Sequence, residues 1–345
     1  MGSEERTFKR VGADHSTASF TALADLASAR VGGRAIATND DFFASKANLV
    51  KAEPPKFVPG KFTSRGKWMD GWESRRRRTP GHDWCIVQLG LRGIVHGVNV
   101  DTRFFTGNFP SHCSLDALDG PRYAKSLNKP DPFVEILPKT ALRGDADNFL
   151  AIEDRRPWTH LRLNIFPDGG VARLRVFGEA AIDWATIARG RRVIDLASIL
   201  NGGLVLGASD MHFGTRDNLI MPGRAKNMGD GWETRRRRGP GHDWAIVRLG
   251  APGRISRIEI DTNHYKGNYP DRASIDGIFA PGAAFELLTT ASWLPLVPET
   301  KLRPHHRHFF TKPLQMPEPV SHVRLNIVPD GGVSRLRVHG RVETA

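Results

Sequence analysis

Apolar and polar residues alternate with a period of two along much of this chain, the pattern of strands with one buried face. Over residues 82–89, Cys85, Val87 and Leu89 fall on one side and Trp84, Ile86 and Gln88 on the other. Residues 94–105, 111–118, 133–137 and 149–153 also read as strands, separated by Gly, Pro, Asn and Asp turns. Residues 161–166 and 171–177 flank Pro167-Asp168-Gly169-Gly170 and predict a β-hairpin. In that hairpin Leu161, Leu163, Ile165, Leu174 and Val176 point into a core. Arg162, Asn164, Arg173 and Arg175 share the other face, where like charges repel. Either the protein's own carboxylates or a bound anion should cover them. The one helical signal is a single turn near 182–188. Short strands with few helices predict an all-β, antiparallel β-sandwich, most simply a jelly roll.

The pattern occurs twice. Residues 70–90, DGWESRRRRTPGHDWCIVQLG, return at 230–250 as DGWETRRRRGPGHDWAIVRLG, with 17 of 21 positions identical. HLRLNIFPDGGVARLRVFG at 160–178 returns at 322–340 as HVRLNIVPDGGVSRLRVHG. The division expected is a tail over 1–19, repeat 1 over 20–179, a connector over 180–192 and repeat 2 over 193–345. The offset between copies falls from 170 at Leu23 to 160 at Trp72. Repeat 1 therefore carries about ten extra residues, in the Pro- and Gly-containing stretch KAEPPKFVPGKF, which suits a surface loop. The identities are tightest at polar positions, which a core does not require.

A net charge of +13 invites a nucleic-acid reading. The arginine runs at 75–78 and 235–238 lie between Asp-Gly-Trp-Glu and His-Asp-Trp, however, inside a patterned motif. No zinc-finger spacing, helix-turn-helix or RNA-binding signature accompanies them, so a surface attracting a small anion is expected and nucleic acid is not. No apolar run approaches the ~18 residues of a membrane span, and MGSEERTFKR lacks an apolar secretory core. Cys85 and Cys113 both lie in repeat 1, and repeat 2 has Ala245 opposite Cys85. A bridge confined to one copy would not frame the fold, so a reducing, cytoplasmic setting is expected.

Two clusters carry candidate chemistry. Glu73, Arg75, His82 and Asp83, with Glu233, Arg235, His242 and Asp243, combine carboxylate-binding arginines with a proton donor and acceptor near neutral pH. The competing reading makes Glu73 and Asp83 structural counter-ions for the arginines and places Trp72 and Trp84 in the core. The second cluster, VDTRFFTGNFP at 100–110 and IDTNHYKGNYP at 260–270, offers Asp101, Asn108, Asp261, His264 and Asn268 as substrate contacts. Its structural reading is an Asx turn. Repeat 1 has Arg103-Phe104 where repeat 2 has Asn263-His264, the place to look if one copy alone is active. PHHRH at 304–308 has no repeat-1 counterpart, Cys pair or HExxH companion, so a solvated loop is expected rather than a metal site. No nucleophile elbow, Walker loop or dinucleotide fingerprint is present, and the Pro-Asp-Gly-Gly loops read as turns.

Taken together, duplicated DGWE[ST]RRRR-x-PGHDW, [VI]DT-x4-GN[FY]P and RLN-x2-PDGG-x2-RLRV motifs resemble the allantoicase family over nearly the whole chain. The usual small residue after Asp-Thr is replaced by Arg103 and Asn263. The resemblance implies two galactose-binding-domain-like jelly rolls and hydrolysis of allantoate to ureidoglycolate and urea. Allantoate bears two urea groups on one carbon, so the broken bond needs a general acid and a base rather than a Ser or Cys nucleophile. The expected roles are proton transfer by His82 or His242 paired with Glu73 or Glu233, and carboxylate binding by Arg75, Arg173, Arg235 and Arg335. No cofactor is indicated, a divalent metal being possible but not signalled, and a homo-oligomer is expected. The alternative is a non-catalytic tandem lectin-like module for a small anionic or carbohydrate ligand.

Overall fold

The computed structural model describes residues 19–120, 133–190, 192–311 and 318–343; residues 1–18 of the expected tail lie outside them. Each repeat is built on one 19-residue strand, Asp83–Asp101 in repeat 1 and Asp243–Asp261 in repeat 2. The two strands read separately over 82–89 and 94–105 are therefore one continuous element. Its first part pairs antiparallel with Arg34–Thr38 and with Pro157–Phe166. The layer continues through His112–Leu118 to Val134–Ala141. Its second part pairs with Phe149–Ala151 and with Arg173–Ala180, and the last strand also holds Ala24–Asp25. The long strand thus belongs to both layers of a sandwich. Cys85, Val87, Leu115, Leu161 and Leu163 of one layer and Val98, Val100, Leu174 and Val176 of the other form its buried core.

Glycine makes the crossing between layers possible. A Cβ on Gly90 would lie 2.4 Å from the Val31 carbonyl oxygen, and one on Gly93 2.5 Å from that of Glu179. Only a residue without a side chain lets those backbones approach so closely.

This topology corrects the predicted hairpin. Pro157–Phe166 and Arg173–Ala180 do not pair with each other; each pairs with a different part of the long strand. The core residues were assigned correctly, but Arg162, Asn164, Arg173 and Arg175 lie on two different layers. Of the two proposed covers, the protein's own carboxylates are the ones found. Arg162 pairs with Asp116 at 2.7 Å, Arg173 with Asp70 at 2.7 Å and Arg175 with Asp25 at 3.4 Å.

The repeats pack together. Arg30 of repeat 1 reaches Asp230 of repeat 2, and its second Nη donates to Asn218. Repeat 1 meets the equivalent carboxylate, Asp70, with its own Lys51, a position held by Met221 in repeat 2. The connector forms a short helix, Trp184–Arg189. Trp184 and His322 line a cavity of about 340 Å³ between the repeats.

His322 is buried, its Nδ1 2.9 Å from Ser321 Oγ. Burial, and then the nearby Arg248, pull its pKa from 6.5 down to about 4. The unfolded chain therefore takes up this proton first, and stability is lost as pH falls from about 6.5 towards about 4. The limit for such a shift is about 3 kcal/mol. The melting temperature should drop across this window, and drop less in His322→Gln. Equal drops in the two proteins would assign the acid sensitivity to other groups.

Candidate functional site

Glu73 leaves the core on a two-residue strand, Trp72–Glu73, paired with Gly170–Val171. Trp72 is fully buried, and its Nε1 donates to the Asp40 carbonyl at 2.7 Å, which fixes the strand. Opposite Glu73, Gly170 donates its backbone N–H to the Asn108 carbonyl at 2.8 Å. The Asn108 side chain then donates to Glu73 Oε1 at 2.6 Å. A Cβ on Gly170 would come within 2.0 Å of the Phe105 ring. Gly169, at φ +137°, passes so close to Asn108 that a Cβ would meet its carbonyl oxygen at 2.6 Å. The Pro-Asp-Gly-Gly loop is thus the seat on which the Glu–Asn pair is assembled, a role beyond that of a simple turn.

Around this pair lies a cleft of about 390 Å³ lined by Phe43, Gly66, Lys67, Met69, Phe104, Thr106 and Gly107. Lys67 arrives on a small hairpin, Phe62–Thr63 with Gly66–Lys67. The backbone N–H groups of Lys56 and Lys226 bond equivalently to Asp70 and Asp230 at 3.1 Å, so the extra residues of repeat 1 lie between Lys56 and Asp70 and include this hairpin, not within 51–62 as expected. Its Nζ sits 4.7 Å from the Phe57 ring centre, and Phe57 stacks on Phe104. Burial raises the pKa of Glu73, against the opposing pull of the Asn108 hydrogen bond and the Lys67 charge. A half-buried carboxyl that holds its proton more tightly than usual, beside an ammonium group, suits proton transfer to a small anionic substrate.

Arg75 lies near this cleft without lining it. It pairs with Asp40 at 2.7 Å and lies 5.1 Å over the Phe42 ring, which abuts Phe43. Arg77 turns inward, with Nη1 on Asp83 at 2.7 Å and its backbone N–H on Asp168 at 2.8 Å. Arg76 and Arg78 are exposed. The structural reading of the motif therefore holds for Arg77 with Asp83 and for Trp72, whereas Trp84 is only half-buried and Glu73 pairs with an amide.

Repeat 2 repeats the frame with different walls. Glu233 accepts from Asn268, and Arg235 meets Asp210 at 3.2 Å. A short turn, Met228–Asp230, stands in place of the Lys67 hairpin. His264 replaces Phe104, and its Nε2 lies 3.0 Å from the Ala225 carbonyl. Phe104 and His264 share a left-handed backbone, φ 72° and 73°, so the asymmetry lies in the side chains.

A sequence-model comparison decides the family: the allantoicase repeat model matches residues 24–181 and again 194–343. The chain belongs to the allantoicase family. It is 50% identical over 321 residues to probable allantoicase 1 of Burkholderia mallei, covering 92% of this chain and 94% of that protein. To the probable allantoicase of Pseudomonas paraeruginosa it is 50% identical over 336 residues, covering 96% and 99%. The crystal structure of Saccharomyces cerevisiae allantoicase superposes with a TM-score of 0.79 at 33% identity, covering 92% and 93%. The lectin-like module is not favoured by these matches.

Within this allantoicase frame, several expected site residues sit elsewhere. His82 packs on the Phe166 ring at 4.7 Å, and His242 Nε2 lies 3.3 Å from Asn326 Oδ1. Among the described residues no hydrogen bond joins either histidine to Glu73 or Glu233, so the expected Glu–His pairs are not formed. Arg173 is buried, and its guanidinium is spent on Asp70, on the Asp70 and Ala172 carbonyls and on that of Glu53. Arg335 is held likewise by Asp230, Ser334 and Gly223. Asp101 is closed by Arg103 with paired bonds of 3.0 and 2.5 Å, and it accepts the Arg103 backbone N–H, the Asx turn. Asp261 accepts from the Asn263 N–H in the same way.

The histidine tract opens as an exposed turn at Pro304 and His305, as expected of a solvated loop, and enters a strand only at Arg307. Arg307–Phe310 is a strand on the long strand of repeat 2, and His305 Nδ1 accepts from the His264 N–H. Among the described residues no three His, Cys, Asp or Glu side chains are placed to hold a metal, and no helix is long and apolar enough to cross a membrane. Sequence reasoning passed over Lys67 and Phe43. The length difference between repeats was the signal that could have drawn attention to Lys67.

Proposed function

We infer that this chain hydrolyses allantoate to ureidoglycolate and urea, and that the chemistry takes place in the Glu73 cleft of repeat 1. The observation that carries this assignment is the Glu73–Asn108 pair, half-buried beside Lys67 in a cleft of about 390 Å³. Allantoate is a monoanion whose central carbon bears two ureido nitrogens. As one urea departs, the lone pair of the other ureido nitrogen stabilises the electron-poor carbon. The demand on the protein is then a proton for the leaving urea and a base for the incoming water. Glu73 suits both: protonated, it donates to the departing nitrogen; as the resulting carboxylate, it accepts a proton from water. Asn108 fixes the orientation of the carboxyl. Lys67 in the cleft wall attracts and holds the substrate carboxylate. Phe43 and Phe104 narrow the access of water.

The free, buried state of Cys85 and Cys113, with burial pushing both thiols up to about 12, fits the reducing cytoplasm proposed as its location. Purified protein incubated with allantoate should release urea and ureidoglycolate in equal amounts. Lys67→Met should raise KM about tenfold, the scale of one lost contact of about 1.4 kcal/mol, with a smaller change in kcat. Absence of urea would sink the activity. An unchanged KM in Lys67→Met would sink the role of Lys67.

A further inference from the structure

The same scaffold carries opposite charge in the two repeats at one further place. In repeat 2 a cleft of about 210 Å³ is lined by Gly223, Arg224, Glu259, Asp261, Arg307, Arg335 and Arg337. The corresponding positions of repeat 1 are Glu53, Pro54, Asn99, Asp101, Asp147, Arg173 and Arg175. Four arginines face two carboxylates in repeat 2, where two arginines face three in repeat 1. Arg103, which closes Asp101 in repeat 1, is Asn263 in repeat 2.

The four arginines are not equally engaged. Arg307 is locked on Glu259 by bonds of 2.6 and 2.9 Å, and Arg335 holds Asp230 at 3.1 Å. Arg337 spends Nη2 on the Met221 and Gly223 carbonyls, and its Nε lies 3.6 Å from Asp195. Its Nη1 is buried with no hydrogen-bond partner among the described residues. Arg224 is more than half exposed, and its one partner among the described residues is Asp261 at 3.6 Å. A buried guanidinium N–H without an acceptor costs free energy unless something accepts from it.

We propose that this cleft is a binding site for a small carboxylate, gripped by the exposed guanidinium of Arg224 in the positive field of Arg307, Arg335 and Arg337. Arg307, held on Glu259 through Nε and Nη2, and Arg335, held by Asp230, Ser334 and Gly223, supply a positive field around it. A carboxylate suits the site because its two oxygens match the planar fork of the Arg224 guanidinium. The wall carboxylates, Glu259 and Asp261, are tied to arginines or to backbone N–H, so the site binds and does no proton chemistry. The proposal goes beyond the allantoate reading and does not depend on it.

Ureidoacetate is a suitable probe, a carboxylate with one urea group and no second urea to lose. Titrated calorimetrically into the full chain, it should bind at two sites, both weakened by salt. Arg224→Glu should remove one site, and the milder Arg224→Gln should weaken that site at least tenfold. Lys67→Met should remove or weaken the other. One site in the wild type, unaltered by either Arg224 variant, would overturn the proposal while leaving the repeat-1 reading standing. Binding lost in Arg224→Glu but untouched in Lys67→Met would support this cleft and count against the repeat-1 one. Inorganic phosphate displacing ureidoacetate from the Arg224-dependent site at equal concentration would overturn the assignment of a carboxylate as its ligand.

Discussion

Glu73→Gln should lower allantoate turnover by roughly 10²–10⁴-fold, the range set by loss of a positioned acid–base group. The substitution keeps the shape of the side chain and leaves an oxygen for the Asn108 amide, so the loss should fall on kcat more than on KM. Glu233→Gln removes the equivalent group in repeat 2, where no Lys67 hairpin is present, and should retain most of the activity. Stability should move the other way. Burial raises the Glu73 pKa above that of the unfolded chain, so its favourable contribution is present at low pH and is lost as pH rises through the folded-state value. Near neutral pH the buried carboxylate is a cost. Glu73→Gln should therefore melt no lower than the wild type at pH 7. Turnover and thermal melts on Glu73→Gln and Glu233→Gln decide the matter. Wild-type turnover in Glu73→Gln, or equal losses in both, would remove the assignment to repeat 1.

The second large effect concerns stability rather than catalysis. Arg173→Met should destabilise the protein by about 3–5 kcal/mol, the cost of breaking a buried pair from one side. Arg173 is 1% exposed and satisfies both the carboxylate and the carbonyl of Asp70, so its removal strands several acceptors at once. Asp70→Asn in the same chain should recover part of the loss, because the buried charge then left to Lys51 alone is gone. KM of the folded protein should hold steady. Urea denaturation followed by steady-state kinetics separates this from a ligand-binding role, in which KM would rise while stability changed little.

That contrast shows what the chain discloses on reading. Two-residue periodicity depends on local sequence alone, so strand class and the inward set of Leu161, Leu163, Ile165, Leu174 and Val176 were legible. A Pro-Asp-Gly-Gly turn, by contrast, does not specify whether its flanking strands pair or diverge into two layers. That depends on the long strand, which offers an edge to each. The misplacement of the arginine face followed from this one point. Glu73 and Asn108 were legible as repeated polar positions, 35 residues apart and without apolar duty. Their partners were not. Histidines near in sequence turned to Phe166 and Asn326, while Lys67 came from an insertion that repetition, as a filter, discards.

The long strands Asp83–Asp101 and Asp243–Asp261 also bear on how the molecule assembles. Each is a single beam shared by both layers, so neither layer has a complete set of hydrogen bonds until the whole strand is in place. Its partners range from Arg34 to Ala180 in repeat 1, which makes the required contacts distant along the chain. Each sandwich should therefore form and melt as one cooperative unit rather than sheet by sheet, and a nick near Gly90 should undo both layers at once.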